Sequence, residues 1–156
     1  MMTNEQINAY TLRISQANAS ALTVITLELE ITWIEEALAF LEREETEEFV
    51  RCIDKAQKAQ QELMGVVNLK NTVALDVLTI FSYINKQLIV SKIKRADIEL
   101  HRLIEMLNKL KNSFSVLAEQ DASSPIMENS EKVYAGLTYG KGTLNENTFG
   151  GKDFSV

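Results

Sequence analysis

Apolar residues recur at intervals of three and four through most of the chain, a period typical of amphipathic α-helices. Three segments follow this period clearly, at residues 46–67, 72–92 and 97–118. The last is the most regular, because its apolar residues alternate by three and four as in a heptad seam. That seam comprises Leu100, Leu103, Leu107, Leu110, Phe114 and Leu117. The spacing predicts three helices, each roughly 30 Å long.

Residues 20–43 carry two patterns at once. Apolar and polar residues alternate from Ile25 to Trp33, as in a half-buried strand. The alternation runs without a turn into the strongly helical residues 34–41, and no other segment offers a partner strand for its backbone groups. A second stripe has helical spacing: Leu27, Ile31, Ile34, Leu38 and Leu41. We therefore predict a helix here, with Ser20 as its N-cap.

Polar residues also stand at the expected starts of the other three helices. The predicted caps are Thr46, then Asn71 or Thr72, and then Asp97. Glu47 and Glu48 follow Thr46 and suit the positive N-terminal end of a helix dipole. The remaining glutamates are expected on polar faces, where they are solvated or paired with cations.

The predicted helices are joined by short connections near residues 43–46, 68–71 and 93–96. Short connections favour antiparallel neighbours, so the predicted fold is all-α, an antiparallel up-down-up-down four-helix bundle spanning residues 20–120. Residues 1–19 form an N-terminal arm, which is either a short helix or a loose segment.

The composition changes after residue 120. Pro125 and five of the six glycines lie in residues 121–156, which predicts an irregular C-terminal tail. Two interpretations of the tail remain open. It is either disordered, or a docking segment, because a purely solvating tail does not need Tyr134, Tyr139 and Phe149.

Composition and charge exclude several classes of function. Hydrophobic content is 46% and charged content is 24%, which argues against wholesale disorder. The net charge of −6 disfavours nucleic acid and anionic membranes as partners, since both require a basic surface. We expect no stable membrane insertion, because no run of 18 apolar residues occurs. A lone Cys52 and an N-terminus unlike a signal peptide predict a cytosolic protein.

The chain shows no constellation typical of an enzyme. A di-metal site in a helical bundle needs two Glu-x-x-His motifs, but His101 is the only histidine and Glu99 stands at the wrong spacing. Cys52 lacks a basic cluster that would activate it as a nucleophile. The segment at residues 140–143 fails as a phosphate-binding loop, because Gly142 stands where Ser or Thr must follow the lysine. We expect no catalysis, no metal and no cofactor.

Some apolar residues on the first and third long helices exceed the single stripe that a bundle buries. Contiguous exposed apolar surface usually marks a partner site. The surplus residues are Leu27, Ile31, Ile34, Phe81, Ile84 and Leu88. They form a partner-binding surface or are covered permanently by the arm and the tail, and the pattern alone leaves both interpretations open.

Several short motifs occur along the chain in an order that resembles one family. They are Tyr10 in the arm, Asn18-Ala19-Ser20 at the helix start, Trp33, Ile34 and Ala37, then Lys55-Ala56-Gln57, Glu62-Leu63, Val73-Ala74 and Ile80-Phe81-Ser82-Tyr83-Ile84. Over residues 7–118 the chain resembles the flagellar export chaperone family FliS. Three pairs typical of that family are replaced here, by Leu27-Glu28, Val67-Asn68 and Ser91-Lys92. The resemblance is therefore to a divergent member with a C-terminal extension.

The resemblance implies a cytosolic chaperone that binds the disordered C-terminal segment of flagellin. Binding would prevent premature polymerisation and deliver flagellin to the flagellar export apparatus. The resemblance adds Tyr10, Ile14, Ala19 and Ser20 to the candidate partner-binding residues, with Tyr10 as a plug over the empty surface. The alternative is a non-enzymatic helical adaptor that self-associates through the seam of the last helix.

Overall fold

The computed structural model of the chain describes residues 2–67 and 74–120. These residues are all-helical, and no strand occurs among them. The five helices are α1 (Asn4–Gln16), α2 (Ala19–Glu42), α3 (Thr46–Gly65), α4 (Ala74–Lys94) and α5 (Leu100–Gln120). The arm therefore contains a helix, and the segment with two patterns is helical, as predicted. The two interpretations of the tail, and the caps Asn71 and Thr72, lie outside the described residues.

The helix α1 is well capped but thinly packed. The N–H of Gln6 donates to the Oγ1 of Thr3 at 3.2 Å, and the N–H of Thr3 donates to the Oε1 of Gln6 at 2.8 Å, which forms a capping box. Ser15 is the buried residue of this helix, and Ile7 is 47% exposed. Local hydrogen bonds therefore define α1 more than burial does.

Two predicted caps are wrong. Ser20 lies inside α2, and the Oδ1 of Asn18 instead accepts the N–H of Ala21 at 2.9 Å. Thr46 is the first helical residue of α3 and not its cap. The cap position belongs to Glu45, whose side chain makes no capping hydrogen bond. In both helices the cap therefore lies one or two residues before the predicted one. The first hydrogen-bonded turn of each helix begins earlier than the residue types alone indicate.

The start of α5 is also later than predicted, and the cap position belongs to Glu99 and not to Asp97, although the Asp97 side chain does bond to the start of the helix. The Oδ1 of Asp97 accepts the N–H of Leu100 at 2.8 Å, and α5 begins at Leu100. Between them Glu99 has a φ of 63°, in the left-handed region that does not continue a helix. Asp97 therefore holds the start of the helix across a non-helical turn.

The described chain falls into two compact units. One is Thr26–Val116, and the other contains α1, the start of α2 and the last residues of α5. The larger unit has one apolar core to which all four of its helices contribute. Its fully or nearly fully buried members are Leu27, Ile31, Ile34, Ala37, Phe49, Cys52, Ile53, Ala56, Leu63, Phe81, Ile84, Leu88, Leu100, Leu103 and Leu107.

The predicted heptad seam of α5 faces this core along the first half of the helix. Leu100, Leu103 and Leu107 are buried, and Leu110 and Phe114 pack partly against the same cluster. Leu117, the last residue of the predicted seam, is 54% exposed. The first half of the seam is therefore used inside the unit, and self-association through its end stays a prediction.

Two helices of the larger unit, α2 and α4, end in the same type of hydrogen-bonded turn. At the end of α2 the N–H of Glu44 donates to the carbonyl of Leu41, and that of Glu45 donates to the carbonyl of Phe40, both at 3.0 Å. These bonds form a Schellman motif, which needs a left-handed residue, and Glu44 has a φ of 60°. The motif stops α2 and turns the chain toward α3 within a short link.

The same turn ends α4. The N–H of Arg95 donates to the carbonyl of Lys92 at 3.3 Å, and that of Ala96 donates to the carbonyl of Ser91 at 3.2 Å. Arg95 takes the left-handed position with a φ of 49°. Neither turn contains the glycine that sequence reasoning looks for at a helix end, which explains why both ends could be located only approximately.

Candidate partner-binding surfaces

The six surplus apolar residues lie in the core. Leu27, Ile34, Ile84 and Leu88 are fully buried, and Phe81 and Ile31 are nearly so. All six belong to the apolar cluster of the larger unit. A partner could contact them directly only after some of the helix packing had opened, so their role in binding stays a prediction.

The four residues added by the resemblance lie in α1 and at the start of α2. Tyr10 and Ile14 are half-buried, and the guanidinium carbon of Arg13 lies 5.6 Å from the centroid of the Tyr10 ring. Ser20 is half-buried and Ala19 is exposed. Tyr10 thus keeps part of its ring open to solvent, next to a cation of its own helix.

The described structure shows an exposed aliphatic stripe that the sequence analysis missed. Leu75 is 72% exposed, Ile89 is 37% exposed and Ile93 is 71% exposed. They are 14 and 4 residues apart, which places all three on one face of α4. Thr79, Ser82 and Lys86 are also exposed on this face. We call the three aliphatic residues the outer stripe of α4. The sequence did contain a signal for the outer stripe, since these apolar residues fall outside the helical spacing of the buried stripe on α4.

Two contacts between side chains fix α3 against its neighbours. The ammonium group of Lys55 lies 4.2 Å from the ring centroid of Trp33, which joins α3 to α2. The ammonium group of Lys92 lies 2.9 Å from the Oδ1 of Asp54, which joins α4 to α3. Both contacts are partly exposed, so they orient helices more than they stabilise them.

The two side chains considered for catalysis, His101 and Cys52, lie on different helices, α5 and α3. No cluster of three or more His, Cys, Asp or Glu suited to a metal occurs among the described residues. The Nδ1 of His101 lies 2.7 Å from the Oδ2 of Asp97, at the exposed start of α5. Burial, followed by the charge of Glu36, raises the pKa of the Cys52 thiol. A buried, protonated thiol is a poor nucleophile.

One prediction about charge is wrong. Glu30 does not lie on a polar face, because its side chain is completely buried in α2. The alternation of Glu28 and Glu30 with apolar residues concealed this difference, since the two glutamates look alike in the sequence. In a helix two positions apart they point about 200° apart, so one is half-buried and the other faces the interior.

Comparison with known proteins gives one clear match. The family model for the flagellar protein FliS matches residues 2–121. The match begins before α1 and ends just after the last residue of α5, so it includes all five described helices. No curated protein and no solved structure gives a match. None of the helices in the described part of the chain has the length and apolar composition of a membrane span.

Proposed function

Since the chain belongs to the FliS family of flagellar export chaperones, we propose that it is a cytosolic chaperone for flagellin. Its guest is the disordered C-terminal segment of flagellin. The observation that carries the proposal is the family match over residues 2–121. The family consists of chaperones and not of enzymes. Binding would keep flagellin from polymerising early and bring it to the flagellar export apparatus.

The physics of the guest suits a helical host. A disordered segment that later packs into a filament carries apolar side chains that must be covered beforehand. Such segments bind as amphipathic helices to apolar grooves between or along helices. They lose conformational entropy on binding, which lowers the affinity for a given contact area and keeps release possible.

We infer that α2 to α5 form an up-down-up-down bundle as the scaffold for this function. The links at residues 43–45 and 95–99 are short, and each begins with the residues of a Schellman turn. The helices α3 and α4 pack against one another. Short links between packed helices favour antiparallel neighbours. This arrangement would leave the outer faces of the helices open to a guest.

We propose the outer stripe of α4 as the first contact of the guest. Leu75, Ile89 and Ile93 are exposed at helical spacing, so an amphipathic helix can lie along them. Lys86 lies between them on the same face and would favour a guest with acidic residues beside its apolar ones. The six buried candidates would support the groove from beneath or enter binding when the packing opens.

The arm is proposed as a displaceable cover. Ser15 is the buried residue of α1, so the loss of burial on moving this helix is small compared with moving α3, which buries seven residues. Tyr10 and Ile14 would cover apolar surface in the empty chaperone. Ala19 and Ser20 would lie beside the link at residues 17–18, about which the arm would move. Removal of the Tyr10 ring should then favour guest binding.

The proposal is tested by titration calorimetry of the full chain with a synthetic C-terminal segment of flagellin from the same organism. We expect a Kd on the order of micromolar or below and a negative heat-capacity change from apolar burial. Absence of heat, together with absence of co-migration in gel filtration, would reject the function.

Variants then test the surface. Ile93→Ser should weaken binding about tenfold, which corresponds to the loss of one well-packed aliphatic contact. Val66→Ser is the matched control, because Val66 is 67% exposed in the same unit but lies outside the stripe. Equal affinities for Ile93→Ser and the wild type would remove α4 from the binding surface. Tyr10→Ala should bind more tightly if Tyr10 is a cover, and more weakly if it contacts the guest.

A further inference from the structure

Two completely buried polar side chains meet between α2 and α3. Glu30 and Gln60 each have 0% exposure. With its amide group oriented to donate, the nitrogen of Gln60 lies 2.7 Å from the Oε1 of Glu30 and 3.0 Å from its Oε2. Buried polar groups without such partners are costly, so this contact specifies how the two helices pair.

The surroundings of the pair contain no compensating charge. The residues one turn away on the two helices carry no ionisable side chain: Thr26, Leu27, Trp33 and Ile34 on α2, and Ala56, Gln57, Leu63 and Met64 on α3. The core neighbours from α5 are Leu100, Leu103 and Leu107. The core members from α4 are Phe81, Ile84 and Leu88. Cys52 and Glu36, whose charge acts on the Cys52 thiol, are titratable groups near the core, and neither a thiol nor a carboxyl group supplies a cation. The cation of Lys55 lies over the Trp33 ring.

Burial in this apolar setting raises the pKa of Glu30 well above its ordinary value, and desolvation is the cause. A neutral carboxylic acid still accepts the N–H of Gln60 through its carbonyl oxygen, and it places no charge in the core. An ionised carboxylate only accepts hydrogen bonds and leaves a buried charge without a cation. Such a charge is strongly unfavourable in a protein interior.

We propose that Glu30 and Gln60 form a proton-dependent latch between α2 and α3. The latch is closed while Glu30 carries its proton, and the pairing of the two helices weakens when the carboxyl group ionises. The bundle thereby gains an internal site through which pH alters the packing of α2 on α3, independently of any guest.

The direction of the pH effect follows from proton linkage. The unfolded chain releases the Glu30 proton near the ordinary glutamate pKa of about 4.3, whereas the folded chain keeps it to higher pH. Between these two values the folded state binds more protons, so the free energy of unfolding falls as the pH rises. The stabilisation is complete below the unfolded value and is lost as the pH rises through the folded value.

The test compares the full chain with two variants by urea unfolding at pH 5, 6, 7 and 8. Glu30→Gln keeps the shape and removes the titration, and Glu35→Gln is the control, because Glu35 is exposed on the same helix. We compare the equilibrium constant for unfolding of the wild type with that of Glu30→Gln. At pH values between the unfolded and folded pKa of Glu30, the ratio of these two constants should rise about tenfold per pH unit. The ratio of the wild-type unfolding constant to that of Glu35→Gln should not change with pH. Parallel pH profiles for the wild type and Glu30→Gln would overturn the proposal.

A second measurement uses the wild type alone and does not depend on the variant folding. Carbon NMR of the chain labelled at the glutamate carboxyl carbons should show one carboxyl that titrates at higher pH than the others. Amide exchange in α3, corrected for its intrinsic pH dependence, should quicken across that same transition. Titration of every glutamate in the ordinary range would refute the latch, and so would titration without any change in exchange.

Discussion

The helices α1 and α3 are held in place in opposite ways. Thr3 and Gln6 close a complete capping box on α1, yet Ser15 is the residue that this helix buries. The cap position of α3 makes no side-chain hydrogen bond, yet seven of its residues are buried. A cap contributes about 1 kcal/mol, whereas one buried aliphatic or aromatic side chain contributes about 1.5–3 kcal/mol. Packing therefore fixes α3, whereas its cap accounts for more of what defines α1.

The strongest test of this contrast is truncation of one apolar side chain in each helix. Phe49→Ala in α3 should lower the free energy of unfolding by about 3–5 kcal/mol, because Phe49 is completely buried and its loss leaves a cavity. Ile7→Ala in α1 should change it by less than about 0.5 kcal/mol. Both are measured by urea unfolding followed by circular dichroism. Similar losses from the two variants would contradict the contrast.

A buried hydroxyl group extends the comparison to polar contacts inside the packed unit. The Oγ of Ser91 donates to the carbonyl of Ile98 and accepts the N–H of the same residue, both at 3.2 Å. Ser91→Ala should cost about 1–3 kcal/mol, because it leaves both backbone groups of Ile98 without this partner. Ser82→Ala, exposed on the same helix, is the control and should be nearly neutral. A neutral Ser91→Ala would show that water replaces the hydroxyl group.

Ser91 also shows how much the sequence allowed. The Ser91-Lys92 pair was identifiable as a departure from the family pattern, but its purpose was not. In the structure Ser91 binds the link before α5 and Lys92 pairs with Asp54 of α3. These partners are distant or lie in a turn, so no local pattern reveals them. Helical spacing, by contrast, is a local property, and it located all four long helices.

The candidate site was harder to predict than the fold for the same reason. Leu27 and Ile93 are equally apolar in the sequence, yet one is completely buried and the other is 71% exposed. Only the packing of neighbouring helices decides between a core residue and a groove residue. Glu28 and Glu30 present the same problem among charged residues. The sequence thus predicted which residues form stripes, but not which stripe faces a partner.

A smaller effect on the free energy of unfolding is expected at Glu44, the left-handed residue that ends α2. Glu44→Gly should stabilise the protein by about 0.5–1 kcal/mol, because Glu44 has a φ of 60° and glycine adopts this conformation without steric cost. Glu42→Gly is the control, since Glu42 is the last helical residue of α2 and glycine there should be destabilising. Urea midpoints measure both. A loss of stability in Glu44→Gly would mean that its side chain contributes more than its backbone costs.

The smallest global effect should come from the cap of α1, although its local effect is clear. Thr3→Ala removes one half of the capping box, so α1 should lose about 1 kcal/mol of local helix stability. Amide exchange over α1 should then quicken about fivefold, while the urea midpoint stays unchanged, because α1 adds little burial to the folded state. Thr79→Ala is the control, since the hydroxyl of Thr79 bonds within a helix interior and caps nothing. A shift of the midpoint in Thr3→Ala would mean that α1 unfolds together with the core. A helix coupled in that way could not act as a displaceable cover, and the proposed role of Tyr10 would be lost with it.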